Sequence, residues 1–193
     1  MSGPTSKLGV VLLALAVAGC LVACKEGNPI DEVISPVSAE FTEHDIPAGV
    51  SDHHVSLRKS AVNGGRVTLD VVITEIDQPV IGIAIKLTYP DAFSRFVKCD
   101  DGDLFPAGNC HFAEPGPGLG EVFVARSITS PDQATTVTGS QVVARLEFLV
   151  FGVDAGAIQF EGQNLGGGDA SAVLDVNGDP IFVQWFAGVI EGL

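Results

Sequence analysis

Hydrophobic residues recur at every second position along most of this chain, and that period restricts it to strands. Val67, Leu69, Val71 and Ile73 fall on one face of a segment whose other face carries Thr68, Asp70 and Thr74. Ile81, Ile83, Ile85, Leu87 and Tyr89 repeat the pattern opposite Gly82, Ala84, Lys86 and Thr88. Val142, Ala144, Leu146, Phe148 and Val150 do so again, opposite Arg145 and Glu147. Shorter pieces follow the same rule: Val55 with Leu57, Val122 with Val124, Ile158 with Phe160, Val173 with Asp175, and a last strand from Ile181 to Ile190. Side chains of an extended chain alternate between two faces, so this period describes half-buried strands. No stretch of the body carries the 3.6-residue period of an amphipathic helix. Asn63-Gly64-Gly65, Asp154-Ala155-Gly156 and Asn177-Gly178 supply turn chemistry suited to antiparallel connections. Many short strands, each apolar on one face, bury that face by packing two sheets together, which predicts an all-β sandwich.

The first 24 residues break the period. Lys7 is the only charge before an apolar run from Leu8 to Ala23. A basic start, an apolar middle and a small-residue exit describe a secretory signal. The run is about 16 residues, short of the roughly 20 that a helix needs to span a bilayer. Val17-Ala18-Gly19-Cys20 and Leu21-Val22-Ala23-Cys24 both resemble the lipobox of bacterial lipoproteins. That resemblance implies that a cysteine takes a diacylglycerol group and becomes the first residue of the mature chain. Cys24 is the favoured acceptor because polar chain begins after it; Cys20 is the alternative. Neither Leu21 nor Lys25 is the Asp that retains some Gram-negative lipoproteins at the inner membrane, so an outer-membrane anchor is expected there. The organisation expected is a lipoprotein signal over 1–24, a tether over 25–52 and a sandwich domain over 53–193. Lys25-Glu26-Gly27-Asn28-Pro29 and Ile46-Pro47-Ala48-Gly49 are the loop chemistry of the tether.

Charge narrows the partners. The formal net charge is -14. Such a chain repels phosphate backbones, which argues against nucleic acid. It also repels anionic headgroups, so a membrane is held through acyl chains. Cys99 and Cys110 remain in the body and bracket the turn-rich segment from Asp100 to Asn109. In an exported protein such a pair predicts a disulfide. Closing a loop of this size contributes ~3 kcal/mol in the chain-entropy model.

Four stretches, taken in order, resemble the cohesin family across roughly residues 53 to 190. They are Gly65 to Ile76, an early strand alternating valines; Gly82 to Pro90, ending Leu87-Thr88-Tyr89-Pro90; the turn Gly102-Asp103-Leu104-Phe105; and Thr138-Gly139-Ser140 followed by Val143-Ala144-Arg145-Leu146-Glu147-Phe148. Asp175-Val176-Asn177-Gly178-Asp179-Pro180-Ile181 resembles the family's last hairpin. The resemblance implies a nine-stranded jelly-roll sandwich related to cellulose-binding modules. It also implies a non-catalytic module, since cohesins bind dockerins borne by polysaccharide-degrading enzymes. The strand ending at Tyr89 then carries the candidate binding face, Gly82, Ala84, Lys86 and Thr88. Type I cohesins place polar dockerin contacts at positions matching Gly82 and Ala84. Neither residue here has a side-chain hydrogen-bonding group, so dockerin binding in the type I manner is not expected. A flat face of small residues instead suits a close apolar or backbone partner.

Asp175, Asn177 and Asp179 place oxygens at the first three odd positions of a calcium loop. Pro180 replaces the turn glycine and Phe186 the terminal Glu, so a hairpin turn is expected and no metal. His44, His53, His54 and His111 are expected at the solvated surface. Trp185 is the best single candidate for a sugar platform. Core packing is the favoured reading for it, because Ile181, Val183 and Trp185 share a strand face opposite Phe182 and Phe186. There is no Gly-x-Ser-x-Gly, and the carboxylates fall in turns and on solvent faces, so neither catalysis nor a cofactor is expected. The function expected is an envelope lipoprotein presenting a non-catalytic binding module for a protein partner or a polysaccharide, linked to polysaccharide breakdown. A carbohydrate-binding module proper and a passive structural envelope protein are the alternatives.

Overall fold

The computed structural model describes residues 37–50, 52–106, 110–114, 118–128, 130–163 and 171–193. The leader with Cys20 and Cys24, the first part of the expected tether and the Gly166-Gly167-Gly168 loop lie outside the described residues. No helix among the described residues is long and apolar enough to cross a membrane.

One strand organises the fold. β3 (Arg66–Thr88) is 23 residues long and serves both layers. Its first half pairs antiparallel with β2 (His54–Asn63) on one side and β7 (Thr135–Val150) on the other. Gly64 makes the β2–β3 turn at φ +58°, a conformation that favours glycine. Val67, Leu69, Val71 and Ile73 are fully buried, as the alternation predicts. The strand then turns at Glu75, whose φ is +48°. A non-glycine residue there costs of order 1 kcal/mol, and neighbouring elements hold it. The Glu75 carbonyl accepts the His53 N–H at 3.0 Å, and its carboxylate accepts the Gly139 N–H at 2.8 Å.

Beyond the turn, β3 enters the second layer. There it pairs with β6 (Glu121–Ser127) on one side, and with β9 (Ala172–Asp175) and β8 (Ala155–Phe160) along the other. The first layer is completed by β4 (Ser94–Asp101) on β7 and by β11 (Gln184–Phe186), which runs parallel to β2. The second layer is completed by β5 (His111–Ala113) on β6, β10 (Pro180–Ile181) on β9, β12 (Gly188–Gly192) on β8, and β1 (Ala39–Glu43) on β12. Leu57, Leu69, Leu146 and Phe148 from the first layer meet Ile85, Val124, Ile158 and Ile190 from the second in one core. The all-β sandwich expected from the alternation is therefore present.

Three expectations change in detail. The stretch assigned to the tether contributes β1, so the sandwich begins before residue 53. Phe41 is the reason: its ring is 2% exposed, seated where Gly188 has no Cβ to overlap it. The last strand, expected from Ile181 to Ile190, is three pieces. Burial of both Trp185 and Ala187 with half-exposed Phe186 between them, followed by buried Gly188, breaks the alternation as the chain crosses from one layer to the other. Twelve hydrogen-bonded segments are present among the described residues, against the nine implied. β5, β10 and β11 are of three residues or fewer, and β8 and β9 share one flank of β3.

Candidate functional site

The outward residues of β3 in the second layer are the expected face, Gly82, Ala84, Lys86 and Thr88. Register shows what they stand beside. Gly82 is opposite Ser127, Ala84 opposite Ala125, Lys86 opposite Phe123 and Thr88 opposite Glu121. One strand further, His111 is opposite Ala125 and Ala113 opposite Phe123. On the other flank, Ala84 is opposite Ala172 and Gly82 opposite Leu174. Residues directly opposite in a ladder share a face. The centre of this face is thus built from alanines, with larger side chains around it.

Small residues amid larger ones leave a depression. Ala84, Ala113 and Ala125, with His111, Phe112 and Phe123, line a hollow of about 230 Å³. Gly82 lets β3 pass close to β6: a Cβ there would lie 3.0 Å from the Arg126 carbonyl oxygen. At one end of the hollow the charges are paired. Lys86 Nζ lies 3.5 Å from Glu121 Oε2 and 5.3 Å from the centre of the Phe123 ring. Thr88 donates to Glu161 Oε1 at 3.3 Å. Ser171 Oγ accepts the Lys86 N–H and donates to the Lys86 carbonyl, which pins this part of β3. The face is apolar at its centre, and the one lysine on it is paired with Glu121, which suits a protein surface better than a charged small molecule.

Behind the face, the turn Gly102-Asp103-Leu104-Phe105 folds against β7. Asp103 and Leu104 N–H groups donate to the Val142 carbonyl at 2.7 and 3.0 Å. A Cβ at Gly102 would overlap that carbonyl, so the turn requires glycine. Arg145 donates to the Asp101 carbonyl at 2.8 Å and to the Asp103 carboxylate at 2.9 Å. Arg126, inward on β6 with its side chain 1% exposed, pairs with the Asp101 carboxylate. Cys99 on β4 and Cys110 just before β5 form the expected disulfide, with Cα atoms 5.7 Å apart. Past β5, the Tyr89 hydroxyl donates to Glu114 at 3.0 Å. Burial, then the Glu114 charge, pushes the Tyr89 phenol up to about 12.

The other candidates sit elsewhere. Trp185 is 9% exposed and packs on Phe160 with ring centres 4.9 Å apart. It faces the core because β11 joins β2 with Trp185 opposite Val55, so it offers no platform to a sugar. His54, expected in solvent, is 3% exposed and meets the Phe186 ring edge-on. His53 pairs with Asp77 at 3.0 Å, and His44 and His111 are exposed. The Asp175 carboxylate accepts the N–H groups of Asn177 and Asp179 at 2.8 and 2.9 Å, which shapes the β9–β10 hairpin. Those bonds, that of Asp179 foremost, hold its carboxyl below the usual range. The contribution of β5 and β6 to the face was not read from the sequence. Phe123, Ala125 and Ser127 do alternate with Val122 and Val124, but a three-residue β5 carries no period to detect.

No family model and no curated relative matches the sequence. Solved structures do. A type II cohesin from the cellulosome of Acetivibrio cellulolyticus aligns over 74% of this chain and 95% of its own, with TM-score 0.56 and 21% identity. The sixth cohesin of scaffoldin B from Acetivibrio cellulolyticus, solved in complex with a dockerin, aligns over 72% and 96%, with TM-score 0.56 and 15% identity. The seventh ScaB type I cohesin from Pseudobacteroides cellulosolvens aligns over 72% and 90%, with TM-score 0.55 and 14% identity. The two-layer architecture built on β3 is the fold of cohesin domains.

Proposed function

We propose that this protein is a non-catalytic envelope lipoprotein whose sandwich docks a protein module on the outer face of β3, β5 and β6. The observation that carries the reading is the alanine-lined hollow at the centre of that face, with Lys86 beside it already paired with Glu121. A cohesin of the same fold is solved with a dockerin bound, which makes dockerins the first partners to try. The polar contacts of the type I manner have no counterpart at Gly82 and Ala84, so the partner inserts an apolar side chain instead. Any part in polysaccharide breakdown then comes through an enzyme joined to the partner module. Anchoring rests on the leader, with Cys24 or Cys20 as the lipid acceptor. Direct polysaccharide binding is not favoured, because Trp185 is in the core.

The test is titration of the detergent-solubilised full chain against a panel of purified dockerins and soluble glycans. Saturable binding to a dockerin, lost in Ala125→Arg, is expected, since that substitution places a charged chain in the hollow. Binding that survives Ala125→Arg, or no response to any dockerin, overturns the assignment.

A further inference from the structure

β5 is the least supported part of the docking face. It has three exposed residues and, among the described residues, one strand neighbour, β6. So short an edge does not hold itself in place. Yet His111, Phe112 and Ala113 form one wall of the hollow. Phe112 meets Phe96 edge-on at 5.1 Å but stays 48% exposed, and the Tyr89–Glu114 hydrogen bond is also exposed. Among the described residues a further attachment is covalent. Cys99 belongs to β4, which pairs with β7 in the first layer; Cys110 immediately precedes β5 in the second. Their disulfide joins β4 of the first layer to the residue that leads into β5, and β5 lines the hollow. Both cysteines are half-buried and flank the core rather than fill it.

We propose that Cys99–Cys110 is a redox gate on the docking face, seating β5 when oxidised and releasing it when reduced. This rests on the docking reading above. The reductant is a dithiol. One of its thiolates attacks a sulfur of the pair, breaking the S–S bond, forming a mixed disulfide and expelling the other cysteine as a thiolate. Its second thiolate then closes on its own bound sulfur and expels the first cysteine. Two electrons pass to the protein and two protons are taken up, leaving two thiols and a cyclic disulfide. The sandwich itself keeps its other ties, among them Arg126 on Asp101 and Arg145 on Asp103.

Hydrogen–deuterium exchange of the full chain, with and without dithiothreitol, reads the gate directly. Trp185 emission reports whether the core stays intact. Reduction is expected to raise exchange across residues 111–113 by at least ~10-fold, given the closure entropy released. It is expected to leave Trp185 emission unchanged and to weaken any dockerin bound by the oxidised chain by a similar factor. A Cys99→Ser, Cys110→Ser double variant should behave as the reduced protein under both conditions. Unaltered exchange in β5, or a Trp185 shift showing loss of the whole sandwich, overturns the gate. If no dockerin binds even the oxidised chain, the docking reading fails on its own while exchange still decides whether the bond holds β5.

Discussion

Arg126 sits opposite Ile83 on the inward side of β6, a place where an alternating strand normally puts an aliphatic residue. It is tolerated because Asp101 and the Pro106 carbonyl, 3.5 Å away, meet its guanidinium. Removing one partner of a buried pair costs more than the pair is worth. Arg126→Ala should therefore lower stability by about 3 kcal/mol in urea unfolding. Arg126→Met should lose less, because its unbranched apolar chain refills the space of the buried arginine stem. Equal midpoints for Arg126→Ala and wild type would show that the pair carries no stability. His54 presents the opposite case, a buried titratable ring whose nitrogens meet no hydrogen-bond partner among the described residues. Burial, then the Arg58 charge, lowers its pKa, while Asp52 opposes them. The unfolded chain then binds the extra proton first as pH falls. The contribution is whole above about pH 6.5 and is lost as pH drops toward the folded-state value. Urea midpoints at pH 7 and pH 5 should fall further for wild type than for His54→Phe.

At the scale of elements, β1 decides where the domain begins. Its five residues pair with β12 from Ala39 to Glu43, and Phe41 lies over Gly188. A tether residue contributes nothing to stability, whereas truncating a buried phenylalanine costs about 3 kcal/mol or more. Phe41→Ala is therefore expected to lower the unfolding midpoint by that order, and an unchanged midpoint would return this stretch to the tether. The sequence concealed β1 because Ala39-Glu40-Phe41-Thr42-Glu43 has only two inward positions, too few to show a period. The β9–β10 hairpin was legible for the converse reason. Asn177-Gly178 is a local signal, and Gly178 adopts φ +82° as such a turn requires.

For the whole molecule, the net charge of -14 and the lipobox-like leader act together. An acidic chain gains nothing from anionic headgroups, so acyl chains alone would hold it to a membrane. The full chain is expected to enter the detergent phase of a Triton X-114 separation, and a Cys20→Ala, Cys24→Ala double variant to stay in the aqueous phase. Identical partitioning of the two would remove lipidation from the proposal.

Alternation and local turn signals determined that this chain forms half-buried strands, which residues of β3 turn inward from Val67 to Ile73 and from Ile83 to Leu87, and where the hairpins at Gly64 and Gly178 fall. These are local properties, because side-chain direction and turn conformation depend on neighbours in sequence. Alternation did not show the bulge in β7 that buries Val143 in place of Val142. Only the tertiary structure decided that β3 turns at Glu75 to serve two layers, that Trp185 and His54 are covered, and that Ala84, Ala113 and Ala125 meet in one hollow. Those outcomes depend on strands far apart in the chain coming into register, and no residue's immediate neighbours encode which strand will lie beside it.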